Sequence, residues 1–364
     1  MILHVYFARR FFMTFLGMAG VFLLIISSID LVEQLRRFAG ADATFPDIMA
    51  LTLLNTPTTF AAMLPLIMIL AAIAFFLGMA RSSEMVVTRA AGRSAMRALL
   101  APLAVTLAIG VLSIAVLNPI VAATSKAFEN RSDALRGQNS VLSLGSSGLW
   151  LRQGDAAGQT VIRAQATNLD GTRLEQVTFM TFSPDGTPAL RINATSAQLE
   201  AGAWLLRDVK SWPLRADTIA EAAARTMPQT SIASTLTADQ IRNSFGTPSS
   251  IPIWQLPAFI ERLRAAGFSA QRHQVWLHSQ IALPAFLIAM VLIGATFTMR
   301  HQRGSRTGLM VLFAVLLAFF VYFVRNFAQV LGENGDLPAV LAAWTPPLAA
   351  IALSLGALLH NEDG

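Results

Sequence analysis

The sequence predicts a membrane α-helical protein of six transmembrane helices, with a polar, strand-rich domain inserted between the third and the fourth. Three observations predict it. Six stretches carry no Asp, Glu, Lys or Arg, and about 20 residues at 1.5 Å each cross a hydrocarbon core of about 30 Å. Of 364 residues, 54% are apolar and 13% charged, against about 25% charged in a soluble domain. The one long polar stretch, roughly 150 residues, is enough for a domain of its own. A mean hydropathy of +0.55 excludes an ordinary soluble enzyme and a disordered chain, since one globular core cannot hide so much apolar surface.

The spans run roughly Phe11–Ile29, Pro57–Ala80, Ala98–Leu117, Val275–Met299, Gly308–Val324 and Leu337–Leu359. The fifth is short and is expected to continue past Arg325 toward Leu331. Arginines set the orientation. With the N-terminus in the cytoplasm, the inner segments hold Arg9, Arg10, Arg81, Arg89, Arg93, Arg97, Arg300, Arg303 and Arg306. The short outer loops hold Arg36, Arg37 and Arg325. This is a positive-inside pattern, so the net charge of +6 needs no nucleic acid to explain it.

The insert then lies outside and reads as β. Leu190, Ile192 and Ala194 alternate with Arg191, Asn193 and Thr195, a period of two. Val161–Ala166, Val177–Phe182 and Trp204–Val209 are further strands, and Asp170-Gly171 and Asp185-Gly186 are turn signals. Such short strands suit a sandwich, a jelly roll or an open barrel. Thr237 with Gln240 has capping-box spacing, and Pro257–Ala266 reads as an amphipathic helix with Phe259, Ile260 and Leu263 on one face.

Chemistry is sparse. No phosphate-cradling loop precedes Lys126 or Lys210, the five histidines form no zinc pattern, and cysteine is absent, so no nucleotide, metal or thiol chemistry is expected. The charge-free runs hold no carboxylate of the kind that ion-coupled carriers use. An amphipathic cargo and a partner's energy are the expectation. The loop after the second span is the most informative segment. Ser83 can cap a two-turn helix, Glu84 begins it and Gly92 can end it. Glu84 can then offer a carboxylate to a partner's arginine while Met85, Val86 and Val87 fill an apolar cleft; a plain solvated connector fits the same residues.

This loop resembles a known family. Ser83-Glu84-Met85-Val86-Val87-Thr88-Arg89-Ala90-Ala91-Gly92 is similar to the coupling helix, here residues 83–92, of the lipopolysaccharide-export permeases of the LptF/LptG (YjgP/YjgQ) family. Ile29-Asp30-Leu31-Val32-Glu33-Gln34-Leu35 and Gly148-Leu149-Trp150 resemble its LptG-type branch, and Leu263–Gly267, Arg272, Gln274, Ser279 and Pro284 follow the family's run into span four. The resemblance implies six spans with a periplasmic β-jellyroll: residues 1–120 for spans one to three, 121–272 for the periplasmic domain, 273–364 for spans four to six. It implies a bacterial inner-membrane location with both termini cytoplasmic. It implies a non-catalytic permease subunit, paired with an LptF-type paralogue on an LptB-type ATPase dimer that binds the ATP and magnesium. An LptC-type single-span protein, a periplasmic bridge protein, lipopolysaccharide and membrane lipids complete the implied partners.

The coupling role falls on Glu84, with Met85, Val86 and Arg89 beside it. Some relatives carry lysine where this chain has Asp30, and Trp and Lys where it has His278 and Gln280. Arg36, Arg37 and Arg325 are the outer cations left to meet cargo phosphates, since a guanidinium donates two hydrogen bonds to phosphate; Asp30, at the relatives' lysine position, is a candidate cargo contact by its place alone. Phe320 and Tyr322, in an aromatic run with Phe319 and Phe323, are candidates against acyl chains. The competing reading is a membrane scaffolding protein whose outer domain binds envelope partners without transport.

Overall fold

The computed structural model describes residues 2–39, 43–82, 84, 95–135, 142–145, 148–155, 158–168, 172–184, 186–200, 202–214, 221–234, 236–237, 241, 247–265, 269–299 and 307–363. In chain order the helices are α1 (Ile2–Arg37), α2 (Phe45–Arg81), α3 (Ala95–Leu112), a π-helical turn (Ser113–Leu117), α4 (Asn118–Leu135), α5 (Leu256–Ala265), α6 (Gln271–Ile281), α7 (Leu283–Thr298), α8 (Thr307–Asn334) and α9 (Ala339–Asp363). The strands are β1 (Leu142–Gly145), β2 (Gly148–Asp155), β3 (Gly158–Ala164), β4 (Ala166–Thr167), β5 (Arg173–Phe182), β6 (Pro188–Glu200), β7 (Ala203–Pro213) and β8 (Arg225–Ala233). The chain divides into two units: Met1–Leu135, Pro248–Leu256 and Gln271–Gly364 form the first, Arg136–Thr247 and Pro257–Ala270 the second.

The first unit is helical. Among the described residues five helices are long and apolar enough to cross a membrane: α1, α2, α3 continued through the π-turn into α4, α8 and α9. The sixth expected span is the pair α6 and α7, bent by 50°. Proline explains the break. Pro284 lacks an N–H and its ring collides with the carbonyl one turn back, so the helix cannot pass Ala282 straight. The fifth span does continue past Arg325. It stops at Gly335, whose φ of +89° suits glycine. The Gly335 N–H bonds the Gly332 carbonyl (3.1 Å) and the Asp336 N–H bonds that of Leu331 (3.0 Å), closing the helix end.

The bundle's centre is α7, where Phe286, Leu287, Met290 and Val291 are fully buried against α2 residues such as Ile67, Met68 and Phe76. A helix apolar all round belongs in such a position. Phe11 and Phe75 meet edge to face at 5.3 Å, joining α1 to α2. α1 and α8 differ from α2. In their most apolar stretches only 17% and 11% of residues are buried, against 61% in α2. Leu24, Ile29, Phe320 and Phe323 stand exposed on them.

The first helix also corrects an expectation. The sequence predicts spans free of buried carboxylate, the first ending at Ile29. The helix runs on to Arg37, and Asp30 lies within it, 7% exposed. Its neighbours were invisible in the local sequence: Gln34, one turn on, and Asn55 of α2.

The second unit is an eight-stranded antiparallel sheet in the order β1-β2-β3-β5-β6-β7-β8, with β4 beside β5. Consecutive strands pair as neighbours except β3 and β4, both of which pair with β5, and among the described residues the sheet does not close on itself. Alternation of period two buries Leu149 and Leu151, Ile162 and Ala164, Ile192 and Ala194 on one face. The period slips once, at the same place in three strands. Buried positions step by three from Leu174 to Val177, from Ala194 to Ala197 and from Leu206 to Val209, and these residues are cross-strand partners. Gln176 and Asp208 sit at the slip with φ of +48° and +51°. In β5 and β7 the left-handed residue turns the strand so that its inward face is kept beyond the bend, and β6, paired between them, steps at Thr195. Trp204 and Phe179 pack edge to face at 6.3 Å beneath it. Of the two turn signals, Gly186 has φ +81° in the β5–β6 turn; Asp170-Gly171 lies outside the described residues. The capping pair is half inside them, with the Thr237 carbonyl accepting from Ile241 N–H at 3.0 Å.

Candidate functional site

The expected coupling carboxylate is held by α1. Arg10 and Glu84 form an ion pair. Ser82 Oγ donates to the same Glu84 oxygen (2.7 Å), and Tyr6 OH reaches the other at 3.5 Å. Arg10 also donates to the Tyr6 hydroxyl at 3.1 Å. Tyr6 and Arg10 are one turn apart, so both project from one side of α1. Burial raises the Glu84 pKa. Hydrogen bonds from Ser82 and Arg10, the Arg10 charge and the Tyr6 hydroxyl outweigh it and hold the acid below its ordinary value. Met85, Val86 and Arg89 lie outside the described residues, as does the remainder of the expected helix.

The outer candidates separate into two groups. Arg36 and Arg37 end α1 and are exposed; Phe320 on α8 is exposed. Asp30, Tyr322 and Arg325 are engaged with neighbouring helices. The Asp30 Oδ1 atom accepts from Asn55 (2.7 Å) and Gln34 (3.2 Å), while its Oδ2 and the Gln34 Oε1 atom are buried without a partner. Tyr322 OH donates to the Ala62 carbonyl on α2 at 3.4 Å. Arg325 lies with its guanidinium 4.9 Å from the Phe286 ring centre, at a cavity of about 330 Å³ between α2, the π-turn, α6 and α8.

Sequence reasoning missed Tyr6, Ser82 and Arg10 as partners of Glu84, because Arg10 is 74 residues away and reads there as a topology marker. It also missed the cavity, although a signal existed. Tyr322, Arg325, Asn326 and Gln329 recur at helical spacing within an otherwise apolar span and all line it.

Among the described residues no group of three His, Cys, Asp or Glu side chains is placed to hold a metal. Long apolar helices around a buried α7, together with a separate antiparallel sheet unit, define a multi-pass membrane protein with an appended β domain. The family model described as "Lipopolysaccharide export system permease LptF/LptG" matches residues 5–360. The chain belongs to that family and is a non-enzymatic permease subunit. It is similar to the lipopolysaccharide export system permease protein LptG of Haemophilus influenzae, with 24% identity over 357 residues, covering 96% of this chain and 94% of that protein.

Proposed function

We propose that the chain is the LptG-type half of a permease pair that lifts lipopolysaccharide from the outer leaflet of the inner membrane. Family membership supports the permease role. In this reading α6 and α7 count as one bent span, giving six. Residues 1–120 and 273–364 form the membrane part, and 121–272 a jellyroll-like periplasmic domain with the helices that connect it. Both termini are cytoplasmic, as the arginine asymmetry favours. An LptF-type paralogue faces the exposed apolar sides of α1 and α8, with Phe320 toward acyl chains and Arg36 and Arg37 toward cargo phosphates. An LptB-type dimer binds and hydrolyses ATP. An LptC-type protein and a periplasmic bridge receive the lipid, a free sheet edge being suited to strand addition.

The observation that carries this reading is Glu84. The loop between the second and third spans presents a carboxylate that is ion-paired to α1 through Arg10. A push on this loop by ATPase closure then reaches α1 directly, and moves one wall of the cargo chamber. Met85, Val86 and Arg89 complete the ATPase contact. The experiment replaces Glu84 with Ala and with Lys in complexes reconstituted with all partners, and measures ATP hydrolysis and lipopolysaccharide release together. Loss of release per ATP in both variants is expected. Unchanged release in both removes Glu84 from the mechanism, and failure of any ATPase to co-purify with the chain favours the scaffolding role.

A further inference from the structure

Arg325 occupies an unusual position. It lies about two and a half turns inside the outer end of α8, at 3.6 residues per turn, with Tyr322, Asn326 and Gln329 in a largely apolar helix. Among the described residues no carboxylate lies within ion-pair distance of it. A charge removed from water costs several kcal/mol. Among the described residues its neighbours are the face of Phe286 at 4.9 Å, which returns only about 0.5–2 kcal/mol, and Tyr322, which acts on it electrostatically. An anion is the counterpart that would balance it.

The rest of the cavity points the same way. Trp276 on α6 lines it, and its indole Nε1–H is buried with no acceptor among the described residues. An indole can only donate, so its partner must be an acceptor. Asn118 lines it too, and its Oδ1 is taken by the Ile253 N–H at 2.9 Å, which leaves the amide NH₂ as its open end. Gln280 and Asn326 add further amides, and among the described residues no Asp or Glu lines the space. The wall includes the π-turn at Ser113–Leu117, an irregularity frequent at functional sites. At about 330 Å³ the volume is that of a small ligand site, within the roughly 300–1,000 Å³ range, and about ten times one water's share of the liquid.

We propose that this cavity is a phosphate-binding site inside the subunit. Arg325 grips the phosphate with its two-pronged guanidinium, while the Trp276 and Asn118 N–H groups donate to the remaining oxygens. The phosphate belongs either to a bilayer phospholipid headgroup or to a free anion. The inference does not depend on what the complex exports, only on the helical bundle.

The test uses the full chain in dodecyl maltoside, which contains no phosphorus. Inorganic phosphate and a short-chain phosphatidylglycerol are titrated separately, with a short-chain diacylglycerol as the phosphate-free control. The signal is tryptophan fluorescence, with the Trp276→Phe variant subtracted as a blank. A saturable change is expected, weakened roughly tenfold or more in Arg325→Gln, as loss of a charged hydrogen-bond donor implies, and less in Arg325→Lys, which keeps the charge. A response to both phosphate compounds identifies a free anion site; a response to the lipid alone identifies a headgroup site. The proposal is overturned if neither compound gives a saturable response in the wild type, if diacylglycerol gives the same one, or if both Arg325 variants bind as well as the wild type. Because no transport is read, failure here leaves the permease reading standing, and failure of that reading leaves this one standing.

Discussion

Arg10 and Glu84, 74 residues apart, form an ion pair that ties the start of the first transmembrane helix to the loop after the second. Both side chains are about three-quarters to two-thirds buried, at 27% exposed for Glu84 and 32% for Arg10. Held this way, the carboxylate that the proposed function offers to an ATPase also holds α1.

Arg10→Met therefore separates hydrolysis from movement. The variant keeps the Glu84 carboxylate and its Ser82 bond but removes the ion pair to α1, leaving there only the long Tyr6 contact at 3.5 Å. Discounted for partial exposure, the lost contact is worth about 1 kcal/mol, roughly fivefold in an equilibrium. ATP hydrolysis by the assembled complex is expected to persist, while lipopolysaccharide released per ATP falls by about that factor. Equal release per ATP in wild type and variant would show that α1 takes no push from Glu84.

The same contact has a defined pH dependence. Its folded-state pKa lies below the ordinary value, so Glu84 contributes stability that is fully present above the unfolded-state pKa. That contribution is lost as pH falls through the folded value. The difference in thermal stability between wild type and Arg10→Met should be flat around neutrality and shrink under acid conditions below the usual carboxylate range. A difference that instead grows on acidification would contradict the sign.

The ion pair also shows what was legible in the sequence. Runs without charge fix the spans, because hydrocarbon leaves no alternative partner for a charge. Alternation at Leu190–Thr195 fixes β6, because one face of a sheet must be dry. The break at Ala282 was less visible. Pro284 was in plain view, but many proline-bearing helices, α2 with Pro57 and Pro65 among them, run on without interruption. The slip at Gln176 and Asp208 was not legible, since neither is a glycine or a turn-former in a turn context. Pairings such as Arg10 with Glu84, or Asp30 with Asn55, depend on which helix packs against which, and local spacing does not contain that.

Close helix packing gives a contrast between two glycines. A Cβ on Gly110 of α3 would lie 2.7 Å from the Pro284 Cα and 2.8 Å from its Cβ. The obstacle is backbone at a kink, which cannot swing aside. Gly110→Ala gains about 1 kcal/mol of helix propensity but meets an overpacking cost of about 1–3 kcal/mol. A lower thermal midpoint is expected. Gly17 on α1 has nothing within 4 Å of the same position, so Gly17→Ala should leave the midpoint unchanged or raise it. Equal effects of the two substitutions would show that α3 and the α6–α7 bend do not approach as closely as described.

Asp30 tests whether a buried acid serves cargo or packing. One of its oxygens is bonded to Asn55 and Gln34, and the other has no partner; the Gln34 carbonyl oxygen has none either. Asparagine has the same shape and keeps the bonded oxygen. Its NH₂ can donate to the Gln34 Oε1 atom, satisfying two unpaired positions with one substitution. An unsatisfied buried polar group costs about 1–3 kcal/mol, so Asp30→Asn should match or exceed the wild type in thermal stability with release of lipopolysaccharide unchanged. Asp30→Leu strands the Asn55 and Gln34 amides in apolar surroundings and should lower the midpoint clearly. If Asp30→Asn instead keeps its stability and loses release, the carboxylate acts on the cargo, and its place between α1 and α2 is not merely a packing arrangement.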